Sequence, residues 1–372
     1  MTSTADSSFW RGRRVLVTGH TGFKGAWLCA LLLRRGASVS GLALPPDTTP
    51  NLWAHAPYAR EVEEILADVR DADAVRSAVR ALRPQTVLHL AAQPLVRRGY
   101  AEPVETYAIN VMGTVHVLDA VRACSAAENV VVVTSDKVYA DRPVPGGYAE
   151  DARLGGADPY AGSKAAAELV VETYRSAFFS APGAPRIASA RAGNVIGGGD
   201  FAADRLVPDA YRAVVGGEPL RLRRPEAVRP WQHVLEPLHG YLLLAESLAS
   251  TRATACAYNF GPAERAVSVR TVAQRFVRGM GAQAARAIVI ERTAEHETAV
   301  LEVDSSSAHA LGWAPRWSTA DAVDASAAWY RAFAAGTPAG ALVERDLAAY
   351  ERAAVRTRFA KARDLVPTSL PA

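Results

Sequence analysis

At 372 residues, 49% apolar and 22% charged, the chain has enough apolar material for a sizeable core and enough length for two domains. No run of about 18 apolar residues is present to cross a bilayer, and the opening MTSTADSSFWRGRR lacks an apolar secretory core, so a soluble cytoplasmic protein with no membrane partner is expected. The net charge of +4 comes from arginines scattered among acids, which argues against nucleic acid and fits a small anionic ligand.

In chain order, residues 13–18 (RRVLVT) read as a buried first strand, 25–35 as the helix after it, closed by Gly36, and 37–44 as a second strand. Asp71 is placed to cap a helix through AVRSAVRAL. Residues 86–92 form a third apolar strand, 104–124 one long helix, 129–135 a fourth strand, and 186–191 a further strand after the helix that starts near Tyr160. Strands alternating with helices predict an α/β fold, a Rossmann-type doubly wound parallel sheet. Beyond residue 191 glycine- and proline-rich segments take over, so residues 1–192 are expected to form the dinucleotide-binding domain. Residues 193–372 are expected to form a smaller substrate-binding domain, with the segment around 228–250 packing back on the first.

Gly19, Gly22 and Gly25 in VTGHTGFKG lie between a strand and a helix, where a tight turn must let the backbone approach a pyrophosphate on the helix N-terminus. Asp68, after ILADV, can accept a hydrogen bond from an adenine amino group or cap a helix. The second strand runs into Leu42, Ala43, Leu44 and Pro45, without the acid that usually holds the adenosine ribose. Cys29, Cys124 and Cys256 are too widely spaced for a metal set or a disulfide framework, so no metal is expected. His20 and His89 read as structural.

Tyr160 and Lys164 stand four residues apart, on one face of a helix. A phenol titrates near 10, but a neighbouring ammonium and a positive nicotinamide both favour the phenolate, giving a base for a sugar hydroxyl. Only four of the 42 basic residues are lysine, and Lys24, Lys137 and Lys164 all fall in motifs, where a compact titratable ammonium is wanted. The fourth is Lys361.

GHTGFKG, LAAQPLVR (90–97), NVMGTVHVLDAVR (110–122), TSDKVY (134–139), DPYAGSK (158–164), RAGNVIGGGD (191–200), DRLVPD (204–209) and RPWQHVLEPL (229–238) together resemble the CDP-glucose 4,6-dehydratases, from Phe9 to about Trp317. The resemblance implies an extended short-chain dehydrogenase fold, bound NAD, and conversion of CDP-glucose to CDP-4-keto-6-deoxyglucose. It also implies a homodimer or dimer of dimers through helices 104–124 and 160–178. Thr134 and Tyr160 would act on the carbon 4 hydroxyl. Asp136 and Lys137 stand where related dehydratases carry an Asp-Glu pair, Asp136 as the acid for the departing hydroxyl. Either Lys137 or another group, Tyr139 being one candidate, would take the carbon 5 proton.

Thr21, Phe23, Val69, Leu90, Ala91, Ala92, Gln93 and Asn110 are expected beside the dinucleotide, with Gly19, Gly22, Gly25, Asp68, Tyr160 and Lys164. Asn194, Arg205 and Arg229 are expected around the substrate diphosphate, where guanidinium forks suit phosphate oxygens. Leu206, Arg221 and His296 join them as substrate contacts, and Gln232 and His233 position the chain near the sugar. A sugar-nucleotide 4-epimerase, a dehydratase of another nucleotide hexose and a non-catalytic NAD-sensing regulator are the competing readings. The first needs Tyr160 and Lys164 but no acid/base pair for elimination, and the last would not need the tyrosine and lysine.

Overall fold

A computed structural model describes residues 7–363 apart from 143, 251, 283–287 and 292–299, with side chains described to residue 353. Seven strands form its central sheet: β1 (Arg14–Thr18), β2 (Ser38–Ala43), β3 (Glu63–Leu66), β4 (Thr86–His89), β5 (Asn129–Val133), β6 (Arg186–Ala192) and β7 (Ala257–Phe260). They run in the order β7-β6-β5-β4-β1-β2-β3, every neighbour parallel. The order reverses between β1 and β4, the switch point at which an open parallel sheet leaves a crevice beyond its carboxyl ends. This is the doubly wound Rossmann-type fold.

β4 and β5 are buried along their whole length, as their continuous apolar runs require of a sheet covered on both faces. On one face α1 (Phe23–Arg34) buries Trp27, Leu28 and Leu32 against the same core as Leu242, Leu243 and Leu244 of a later helix. On the other, α2 (Ala72–Leu82) and α3 (Gly113–Arg122) bury Val75, Val79, Val117, Leu118 and Val121, with Val171 of α4 (Pro159–Phe178). Asp71 caps α2 by accepting from the amides of Asp73 and Ala74, both at 3.0 Å.

Three features differ from the expected elements. β3 has the sequence EEIL at the sheet edge with mostly exposed side chains, so it carries neither an apolar run nor an alternation to read. The expected single helix 104–124 is Pro103–Tyr107, a π turn Ala108–Met112 and α3 in succession. β7, from beyond residue 193, completes the sheet beside β6. α5 (Leu235–Ala249), within the segment expected to pack back on the first domain, is buried almost throughout and shares the core of α1. Three two-stranded pairs lie outside this sheet, Val195–Ile196 with Gln232–His233, Val228–Arg229 with Val267–Ser268, and Leu220–Leu222 with Ile288–Ile290, and from them Val195–Ile196, Leu220–Leu222 and Arg229 form a lip that lines the crevice.

Glu236 ties this second part together. Its carboxylate accepts from the amides of Arg316 (3.0 Å) and Trp317 (2.7 Å) and from the Tyr350 hydroxyl (2.9 Å) on α6 (Ala339–Arg363). Burial, opposed by those bonds, pushes its pKa up to about 7. Between the unfolded value and about 7 the folded state holds a proton that the unfolded state has released, so this group's contribution to stability falls as pH rises. The buried imidazoles of His89 and His233, held down near 3, act in the opposite sense. The stability difference between wild type and Glu236→Gln is therefore the readout. Urea unfolding at pH 4.5 and 7.5 should find it shifted against wild type by about 3 kcal/mol.

Candidate active site

The crevice is a single cavity of about 670 Å³, lined by the glycine turn, the carboxyl ends of the strands, the segment 133–139, the start of α4 and the lip. Its volume lies in the range of small-molecule sites. Among the described residues no group of three or more His, Cys, Asp or Glu could hold a metal ion, and no helix is long and apolar enough to cross a membrane.

At the dinucleotide end, Gly19 has φ +75°, and a Cβ there would lie 2.7 Å from the Ala91 nitrogen. A Cβ on Gly25 would lie 2.1 Å from the Gly19 oxygen. Gly22 caps α1 without a side-chain bond, leaving the first amides of the helix to an anion. Thr21 donates to the Leu44 carbonyl (2.8 Å) and fixes the turn to the end of β2. These glycines build a cradle that a pyrophosphate fits. Phe23, Val69, Leu90, Ala91, Ala92 and Gln93 line the same cavity.

Two residues at this end behave differently. Asp68 lines the cavity, but its carboxylate accepts from the backbone and guanidinium of Arg70, which holds its pKa below the usual range. The helix cap is Asp71. Asn110 lies in the π turn and does not line the cavity. Its amide accepts from the Gln93 amide (2.8 Å) and donates to the Gln93 carbonyl (3.1 Å) and the Ser163 hydroxyl (2.8 Å), so it braces Gln93 from behind.

At the catalytic end, Asp158 caps α4 by accepting from the Ala161 amide (2.9 Å), with Pro159 in the first turn. That cap sets Tyr160 and Lys164 on the cavity wall. Burial pushes Tyr160 up to about 12, Asp136 and Asp158 act in the same direction, and a hydrogen bond with Ser135 and the charge of Arg205 oppose them. Lys164 donates to the Val133 carbonyl (3.2 Å) and is brought down to about 7 by burial and by repulsion from Lys24, with Glu168 opposing. The groups that lower the Tyr160 pKa are Ser135 and Arg205.

The hydroxyl beside Tyr160 is that of Ser135. Thr134, expected there, turns the other way and donates to the buried carboxylate of Glu168, because adjacent residues leaving a strand point to opposite sides. Asp136 is 2% exposed. One of its oxygens accepts from Ser135 (3.2 Å), and the other has no hydrogen-bond partner among the described residues. Burial lifts its pKa to about 6 against the pull of Lys137, Arg229 and Lys24. Lys137 lines the cavity at its side. Tyr139 lines the cavity, but its hydroxyl donates to Asn259 (2.7 Å) and accepts from Arg191 (2.9 Å), and burial pushes it up to about 12.

Arg205 pairs with Asp200 (2.8 Å) and lines the cavity with Asn194, Leu206 and the exposed Arg221. Arg229 is 1% exposed and lies near enough to Asp136 to lower its pKa. It lines the cavity from a short strand paired with Val267–Ser268. Gln232 donates to the Phe260 carbonyl (2.7 Å) and His233 is buried, both outside the cavity lining. His296 lies outside the described residues. Lys24, singled out by the scarcity of lysine but given no role, lines the cavity between Asp136, Asp200 and Arg205, and burial brings it down to about 8.

The family model described as GDP-mannose 4,6 dehydratase matches residues 16–325. The CDP-glucose 4,6-dehydratase of Salmonella typhimurium is 41% identical over 358 residues, covering 94% of this chain and 99% of that protein. Among solved structures, the UDP-glucose 4-epimerase of Thermus thermophilus in complex with NAD superposes with a TM-score of 0.72 at 25% identity, covering 86% of this chain and 99% of that one. The dTDP-glucose 4,6-dehydratase of Streptomyces venezuelae gives 0.74 at 24% identity, covering 86% and 97%, a likeness of fold. Dinucleotide cradle, Tyr160 and Lys164, and these matches define a nucleotide-sugar enzyme of the short-chain dehydrogenase type. The chain belongs to the GDP-mannose 4,6-dehydratase family, and its near full-length likeness within it is to CDP-glucose 4,6-dehydratase.

Proposed function

We propose that this chain dehydrates CDP-glucose to CDP-4-keto-6-deoxyglucose with NAD as a regenerated cofactor. The observation that carries this is Asp136: a buried carboxyl on the cavity wall, poised near 6, with one oxygen without a hydrogen-bond partner among the described residues and Lys137 at its side, next to the hydroxyl that bonds Tyr160. A 4-epimerase has no step for such an acid, although it shares the fold.

Bound NAD supplies the hydride acceptor at the start and the donor at the end, so no net oxidation remains. Tyr160, assisted by Ser135, takes the proton of the carbon 4 hydroxyl. The ketone at carbon 4 makes the carbon 5 proton acidic, and Lys137 removes it, stabilises the enolate and gives a proton back to carbon 5 when carbon 6 is reduced. Asp136 gives its proton to the carbon 6 hydroxyl, which leaves as water. Lys164, on the cavity wall, would hold the nicotinamide ribose, and Lys24 and Arg205 offer the positive charge that a diphosphate requires. Incubation of the purified protein and NAD with CDP-, dTDP-, UDP- and GDP-glucose separately tests the assignment. The expected result is a product lighter by one water from CDP-glucose. Turnover of none of the four would leave only fold and cofactor cradle.

The exposed apolar side chains support a homodimer in this reading. Val104, Tyr107 and Met112 on one helix run and Leu169 and Phe178 on α4 lie open to solvent, Val104 84% exposed. A charge placed there opposes burial in an interface, so Val104→Glu with Leu169→Lys is expected to turn a dimer into a monomer by light scattering. A charged nucleotide sugar and a dinucleotide as partners, neither able to cross a membrane unaided, support a cytoplasmic location in this reading.

A further inference from the structure

We infer that Glu168 and Arg191 are positioning residues, a buried ionic clamp that grips both ends of the segment 134–139 and so presents Ser135, Asp136 and Lys137 to the substrate. The inference rests on the dehydratase reading above.

Glu168 lies one helical turn beyond Lys164 on α4 and is 3% exposed, as is Arg191 on β6. Their side chains pair at 2.7 Å. One Glu168 oxygen takes the Thr134 hydroxyl, and the other takes Ser189 (2.6 Å) along with Arg191. At the far end, Arg191 donates to the Tyr139 hydroxyl (2.9 Å) and to the Glu150 carbonyl (2.9 Å). Tyr139 in turn donates to Asn259 of β7, and its ring stacks on Tyr148 with centroids 4.8 Å apart. Thr134 and Tyr139 therefore stand at the two ends of the segment, one held by the acid of the pair and the other by the base. Between them Asp136–Val138 forms a short 3-10 turn that carries the reacting groups.

A buried ion pair has a desolvation cost that apolar packing of the same volume avoids. This one is accounted for by what it holds: every bond it makes to residues 134–139 flanks the acid and the lysine. Its charge also reaches Lys164. Glu168 opposes the burial that brings the Lys164 ammonium down, against Lys24 on α1, while Lys164 itself lowers the imidazole of His89 on β4.

Glu168→Gln keeps shape and an acceptor for Thr134 but removes the charge. With the substrate-binding residues untouched, kcat is expected to fall on the order of 10²-fold, the cost of misplacing a reacting group by about 1 Å. KM should stay within about threefold of wild type. Without the Glu168 charge the Lys164 ammonium loses its proton more readily, so the alkaline limb of kcat/KM should move to lower pH. Because the Glu168→Gln change leaves Arg191 without its counter-charge, Thr134→Val supplies the second arm, with the ion pair intact and one end of the segment released. It should lower kcat roughly tenfold or more at normal melting temperature, and Thr134→Ser should restore it. Wild-type kcat and pH profile in both variants would overturn the clamp, as would losses of kcat that merely follow the unfolded fraction. A wild-type chain inactive on every nucleotide sugar would overturn the dehydratase reading and the clamp's catalytic role with it.

Discussion

Tyr160→Phe should leave a folded protein whose turnover is lower by on the order of 10³-fold, within the range that a positioned acid or base contributes. The phenol's hydrogen bond is to Ser135, so its loss unpairs no buried charge. Ser135→Ala should be milder, roughly tenfold, because Arg205 still favours the phenolate. In the free chain the phenol is protonated at neutral pH, its pKa pushed up to about 12 by burial. A positive nicotinamide at the cradle would add to the pull of Arg205, so the base forms only in the loaded site. Steady-state assay of product mass, with a thermal melt as the folding control, checks both variants.

Asp136→Asn separates the two halves of the reaction. Asparagine has the size of the acid but no proton to give, and the unpartnered oxygen becomes a group that cannot protonate a leaving hydroxyl. Oxidation at carbon 4, with Tyr160 as its base, should persist while loss of water slows by on the order of 10²- to 10⁴-fold. Quenched mixtures analysed by mass spectrometry should therefore contain the 4-keto sugar that still has its carbon 6 hydroxyl. In wild type Asp136 holds its proton below about 6 in the free chain. A limb of kcat/KM that falls as pH rises through that value should be present in wild type and absent in the variant. Dehydrated product at the wild-type rate from Asp136→Asn would remove the acid role.

The sheet and the glycine turn were legible because their signals are local: β4 and β5 are continuous apolar runs, and Gly19 and Gly25 stand where any Cβ would strike backbone. β3 was not legible, since an edge strand with polar faces has no hydrophobic period to show. The π turn at 108–112 left no mark either, because it depends on the long-range bonds of Asn110 to Gln93 and Ser163. Motif reading located the segment 134–137 but assigned its hydroxyl to Thr134. The side from which a residue leaves a strand end is set by the buried Glu168, more than thirty residues away in sequence. Lys24 could have been assigned, since a lysine is rare in this arginine-rich chain. Its neighbours Asp200 and Arg205 become visible only once the lip folds over the crevice.

The central claim is an internal oxidation, elimination and return of hydride, and CDP-glucose bearing deuterium on carbon 4 tests it most directly. The account predicts a 4-keto-6-deoxy product lighter by one water whose deuterium has moved to carbon 6. A product of unchanged composition with the deuterium still on carbon 4 would contradict it, and would assign Tyr160 and Lys164 to an epimerase.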